Sequence, residues 1–137
     1  MSGSVVGLDH LQVSAPPGCE HDARRFYGTL LGLEELPKPP ILAARGGVWF
    51  RVGDGELHVG VADRFVAATK AHPALRVASV DELGRLAAEL RHAGVEVTWA
   101  DQDELPGASR FYVQDPWGNR LELITRSRVR STTGGGR

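Results

Sequence analysis

Gly55-Glu56-Leu57-His58-Val59 and Asn119-Arg120-Leu121-Glu122-Leu123 are two versions of one local string. In each, a turn residue leads into a strand in which leucine precedes a polar side chain able to bind a metal. His58 and Glu122 are 64 residues apart, and His10 and His72 are 62 apart. A common offset at both ends of a segment predicts an internal duplication.

Working outward, the two segments share an element order. In the first, Leu8 to Ser14 alternates as a strand, and Pro16-Pro17-Gly18 ends it. Ala23, Phe26, Tyr27, Leu30 and Leu31 then form one apolar stripe, which predicts a helix over about Glu20 to Leu31 with Gly32 as its stop. Pro37, Pro39 and Pro40 predict an irregular connection. Val48 to Val52 and Glu56 to Val61 form a hairpin around Gly53-Asp54-Gly55. In the second segment, a strand runs from about His72 to Ala78. Ser79 with Glu82 three residues on is a capping box, and the helix continues to about Ala93 with Gly94 as its stop. Strands follow at Val95 to Trp99, Ser109 to Gln114 and Arg120 to Thr125. One such module cannot bury both faces of its sheet. Two modules, about 8–61 and 72–125, predict a single α+β domain spanning 1–125. Its curved, cup-shaped mixed sheet carries the helices outside and a concave face inside.

The 137 residues are 42% apolar and 24% charged, which fits one globular domain and excludes fibrous and disordered classes. No run approaches the roughly 18 apolar residues of a membrane span, and the first residues lack the pattern of a signal peptide. The single Cys19 excludes an internal disulfide and a thiolate zinc site, which points to a reducing cytoplasm. Net charge is −1, but the last twelve residues carry four arginines and no acid, leaving −5 on the rest. An acidic body offers no broad face to nucleic acid. The stretch 126–137 reads as a disordered basic tail.

Each module places polar residues on its first and last strands: His10 and His58, then His72 and Glu122. Imidazole nitrogens and a carboxylate suit a divalent ion such as Fe, Mn, Ni, Co or Zn. Glu56 shares the strand face of His58 and rivals it as the ligand. Any one of these residues alone reads equally well as an ordinary surface or hydrogen-bonded side chain. His21 and His92 are read that way. By parity, Gln12 and Ser14 share the face of His10, Ala74 and Arg76 that of His72, and Ile124 that of Glu122. Either Trp49 and Arg51 or Phe50 faces inward, and likewise either Arg110 and Tyr112 or Phe111.

The duplicated module, the Phe26-Tyr27 helix ending Leu30-Leu31-Gly32-Leu33, and Asp115-Pro116-Trp117-Gly118-Asn119-Arg120-Leu121-Glu122-Leu123 resemble the vicinal oxygen chelate superfamily. That group includes glyoxalase I, bleomycin- and fosfomycin-resistance proteins, methylmalonyl-CoA epimerase and extradiol dioxygenases. The resemblance covers about Leu8 to Ile124. It implies paired βαβββ modules, commonly in a homodimer, with metal ligands at His10, His58, His72 and Glu122. Glyoxalase I typically carries a glutamate where His58 stands here. The resemblance leaves two classes open. One is a metal-dependent lyase, isomerase or dioxygenase acting on a small substrate with adjacent oxygens, with Glu122 or Glu56 as base. The other is a protein that sequesters a drug or metabolite. Both have a small-molecule partner.

Overall fold

The computed structural model describes residues 3–126. The predicted tail from Ser127 onward lies outside them. The fold is α+β, with two open four-stranded mixed sheets. The described chain divides into two compact units, one reaching to Thr69 and including Pro116–Asn119, the other holding Lys70–Asp115 and the last strand.

In the first unit, β1 (His10–Ala15), β2 (Glu34–Leu36), β3 (Val48–Val52) and β4 (Gly55–Val61) lie in the order β1-β4-β3-β2. β1 pairs parallel to β4, with His10 opposite Glu56 and Gln12 opposite His58. β3 pairs antiparallel to β4, with Trp49 opposite His58 and Arg51 opposite Glu56. The expected irregular connection before Val48 instead contains β2, which pairs antiparallel to β3. The prolines begin only after Leu36, so they end this edge strand without removing a donor from it. They are followed by a short helix, α2 (Pro40–Ala43).

The predicted helix at Glu20 forms as α1, α-helical over Glu20–Ala23 and widening into π turns over Arg24–Leu30. The widening shows as an i→i−5 bond, Leu31 N–H to Phe26 O at 2.9 Å. Gly32, at φ 76°, then turns the chain out of the helix. α1 packs on β2 and β3 through Ala23, Phe26 and Tyr27, all buried, with Tyr27 against Phe50 at 5.8 Å between ring centroids.

The second unit repeats the plan. β5 (Ala74–Arg76), β6 (Thr98–Trp99), β7 (Ala108–Gln114) and β8 (Arg120–Arg126) lie in the order β5-β8-β7-β6. β5 is shorter than the expected His72 to Ala78. Pro73 has no N–H to give the ladder, so His72 stands just before the strand, although Pro73 O still accepts from Glu122 N–H at 3.0 Å. β6 is likewise reduced to two residues of the expected Val95 to Trp99. α3 (Val80–His92) is capped as expected, Ser79 Oγ accepting from Glu82 N–H at 3.1 Å. It packs on β7 and β8 through Leu83, Ala87 and Leu90. Phe50 and Phe111 are both fully buried. The opposite residues Trp49, Arg51, Arg110 and Tyr112 therefore share the other sheet faces with the candidate ligands, which settles the parity question.

Two polar ties are built by residues of special character. Asn119, 1% exposed, donates from Nδ2 to Ser14 O at 2.8 Å and accepts at Oδ1 from Ala68 N–H at 3.0 Å. A side-chain amide offers a donor and an acceptor on separate atoms, so it can serve two backbone groups at once. Asn119→Ala removes both of these part-buried bonds and is expected to lower unfolding stability by about 1–2 kcal/mol in urea titration. Glu20 Oε2 accepts from Gly47 N–H at 2.6 Å. Gly47 has φ 86°, and a Cβ there would lie 2.2 Å from Val59 O, so only glycine serves. The bond to Gly47 N–H holds the Glu20 carboxyl below its ordinary pKa. A depressed carboxyl contributes stability above its unfolded pKa and loses it as pH falls through the folded one. The melting-temperature gap between the wild type and Glu20→Gln is expected to be full at neutral pH and to narrow as pH drops below about 4.3.

Candidate functional site

The candidate residues fall into two clusters, one on each sheet. In the first unit, the His58 ring is 6% exposed and sandwiched. Trp49, its cross-strand partner on β3, stacks on it with 4.0 Å between centroids and 4° between planes. His10 stacks at 4.3 Å and 18°. Register explains the sandwich. A residue directly opposite on an antiparallel neighbour and a residue diagonal on a parallel neighbour both lie within side-chain reach. Lys38 Nζ lies 5.9 Å from the Trp49 ring centroid.

Hydrogen bonds define which nitrogens are free. A carboxylate only accepts, so His58 Nε2, 2.7 Å from Glu56 Oε1, carries the proton of that bond. By the same reasoning, His10 Nδ1 donates to Asp9 Oδ1 at 2.7 Å, and its Nε2 lone pair is left available. An imidazole that ligates a metal through one nitrogen commonly donates from the other to a carboxylate or carbonyl. His10 meets that pattern at Nε2. His58 meets it the other way round, with Nε2 donating to Glu56 and the Nδ1 lone pair left over. Two nearly parallel stacked rings also do not aim in-plane lone pairs at one point, so His10 and His58 bind one ion together only if a ring turns.

In the second unit, Glu122 is 6% exposed on the central strand β8. Its Oε1 lies 2.9 Å from His72 Nε2, and its Oε2 lies 3.4 Å from Arg110 Nη1. His72 Nδ1 lies 3.0 Å from Lys70 O, a carbonyl that needs a donor. With Nδ1 protonated for Lys70, the Nε2 lone pair faces a carboxylate oxygen, and a proton or a cation must stand between them. Two donors about 2.9 Å apart are spaced as neighbours in the shell of an ion with bonds near 2.0–2.2 Å. The donor chemistry of His72 and Glu122 therefore fits a divalent ion. Among the described residues, no group of three or more His, Cys, Asp or Glu side chains is gathered closely enough to hold one.

Arg110 and Tyr112, one of the two inward-facing alternatives, complete the second cluster together with Glu104 and Arg120, which the sequence reading passed over. Arg110 donates to Tyr112 Oη at 2.7 Å and to Glu104 Oε1 at 3.0 Å. The Arg120 guanidinium lies 4.0 Å from the Tyr112 ring centroid, and His72 meets the same ring edge-on at 5.6 Å. Arg120 lies two residues before Glu122 on the same strand face, so period-two parity could have found it. Cys19 takes no part. It is 2% exposed, and burial, reinforced by Glu20, raises its thiol pKa.

The chain belongs to the Glyoxalase/Bleomycin resistance protein/Dioxygenase superfamily, whose family model matches residues 8–123. A glyoxalase family protein from Bacillus anthracis is 46% identical over 93% of this chain and 100% of its own, with a TM-score of 0.84. Lactoylglutathione lyase from Agrobacterium tumefaciens is 19% identical over 90% of this chain and 96% of its own, with a TM-score of 0.68. The fosfomycin resistance protein FosX from Listeria monocytogenes is 17% identical over 90% of this chain and 96% of its own, with a TM-score of 0.71. The last two likenesses concern the fold. No curated protein matches the chain significantly by sequence. No helix among the described residues is long and apolar enough to cross a membrane.

The stacked rings make a direct prediction. His58→Ala opens a gap between Trp49 and His10 and leaves Glu56 without its partner. Stability is expected to fall by about 1–3 kcal/mol. Trp49 emission should shift to the red, read as the difference from the same variant carrying Trp49→Phe.

Proposed function

We propose that this chain is a metal-dependent enzyme acting on a small substrate with two adjacent oxygens, of the lyase, isomerase or dioxygenase kind. The observation that carries this reading is His72. One of its nitrogens is occupied by Lys70 O and the other is directed at buried Glu122, the arrangement of an imidazole prepared for an ion. His72 and Glu122 would hold the ion on the second-unit sheet. His10 and His58 are the corresponding imidazoles of the first-unit sheet, where both would coordinate only if a ring turned out of the stack. When bound, a divalent ion polarises substrate oxygens and stabilises the negative charge that develops on them.

The chain's own residues supply the rest. Arg110 lies 3.4 Å from Glu122 Oε2 and helps to hold that carboxylate in place as a ligand or base. Asp9 and Lys70 orient His10 and His72 through their second nitrogens. Glu56 fixes the plane of His58 and is the carboxylate placed to take a proton on the first-unit side. The flat pair of Trp49 and His58 offers an unsaturated substrate a surface to lie on. The edge strands β1, β2, β5 and β6 favour assembly as a homodimer.

The test is calorimetric titration of Mn(II) and Ni(II) into chelator-treated protein. Glu122→Gln is expected to weaken binding at least tenfold, and His72→Gln likewise, while both keep the wild-type circular dichroism. A wild-type protein that takes up no divalent ion would overturn the enzyme reading. It would leave the chain as a sequestering protein.

A further inference from the structure

Arg120 is the residue that the metal chemistry does not use. It stands on the same face of β8 as Glu122, and Gln114 is its cross-strand neighbour. Its guanidinium lies over the Tyr112 ring at 4.0 Å. Among the described residues it has no carboxylate partner. Arg110, by contrast, is engaged by Glu104, Glu122 and Tyr112 at once.

The surroundings hold Arg120 ready. Glu104 holds Arg110, Arg110 donates to Tyr112 Oη, and the Tyr112 ring is thereby fixed as a platform. A guanidinium face is weakly hydrated and stacks well on an aromatic ring. A guanidinium lying over a ring keeps the N–H groups of its edge free to donate, in a planar fork. Such a fork matches two oxygens of a carboxylate or a phosphoryl group. The same Tyr112 ring touches His72 on its edge, so the fork opens beside the His72–Glu122 pair. Arg76 adds a positive charge on that face, opposite Ile124 in register, and has no ion-pair partner among the described residues.

We propose that Arg120, stacked on Tyr112, is a specificity-determining residue that binds an oxyanion group of the substrate, a carboxylate or a phosphonate, next to the reacting oxygens. The inference rests on the reading above for its claim that the bound molecule is the substrate. The anion site itself is defined by Arg120 and Tyr112 without any metal. It selects, within the class of small oxygenated substrates, those that are acids.

The experiment follows the Arg Nε–Hε resonances by NMR in full-length, chelator-treated protein. Arg120→Lys assigns the Arg120 signal by its loss. Methylphosphonate and acetate are titrated separately, with sodium chloride balancing ionic strength. A saturable shift of the Arg120 signal is expected with at least one probe, and the tighter probe identifies the oxyanion class. The Kd, read from neighbouring backbone amides, should rise about tenfold in Arg120→Gln. Arg120→Lys keeps the charge but loses the fork, and should rise about fivefold. Arg85→Gln, on the outer helix, should stay within twofold. Unchanged affinity in Arg120→Gln, equal affinity of Arg120→Lys and wild type, or no saturable shift with either probe overturns the proposal. Binding that depends on Arg120 in a protein that takes up no metal would sustain the anion site and overturn the enzyme reading. Metal uptake with anion binding indifferent to Arg120 would do the reverse.

Discussion

Parallel pairing of the first strand of each module with its last is the constraint on which the other features depend. β1 lies against β4 and β5 against β8, and in each case a long helix and two further strands intervene in sequence, with the short α2 added in the first unit. A parallel pair cannot be made by a tight turn and needs a long crossover. That crossover is where α1 and α3 lie, packed on the sheet through Tyr27 in one unit and Leu83 in the other. With the helix covering one face, the opposite face is left for polar chemistry. His10 and His58 come together on it, as do His72 and Glu122, although 50 residues separate the latter pair.

The two units share a plan but hold their polar groups differently. In the first, aromatic stacking dominates, and the carboxylates Asp9 and Glu56 each occupy one imidazole nitrogen. In the second, a buried carboxylate is central, with an imidazole and a guanidinium on its two oxygens. A carboxylate this buried is tolerated because polar partners meet both of its oxygens. The duplication thus supplies positions, and divergence at those positions supplies different chemistry. The fold by itself is shared by relatives with different activities, so the reaction has to be argued from the site.

The Asp115-Pro116-Trp117-Gly118-Asn119 turn shows how a motif recognised by resemblance has a physical cause. Asn119 provides a donor and an acceptor to two backbone groups of the first unit, at Ser14 and Ala68. The turn before the strand that carries Glu122 is therefore anchored.

Much of this was legible in the chain. Strand alternation, the apolar stripe at Ala23, Phe26 and Tyr27, the capping box at Ser79 and the repeat offset all follow from local sterics and periodicity, which depend on neighbours in sequence. The α+β class and the pairing of candidate residues by module come from the same source. The strand at Glu34–Leu36 was not legible, because three residues beside prolines carry no pattern of their own and pair only when β3 is there to receive them. The start of β5 was set by Pro73 and the ladder of β8. Which nitrogen of His10, His58 or His72 is free depends on partners brought by register and by rotamer, and no spacing encodes that. Arg120 could be placed on the face of Glu122 by counting. Its stacking on Tyr112 and its lack of a carboxylate partner were decided only when β7 and β8 came together, because contacts between strands are a property of the folded sheet.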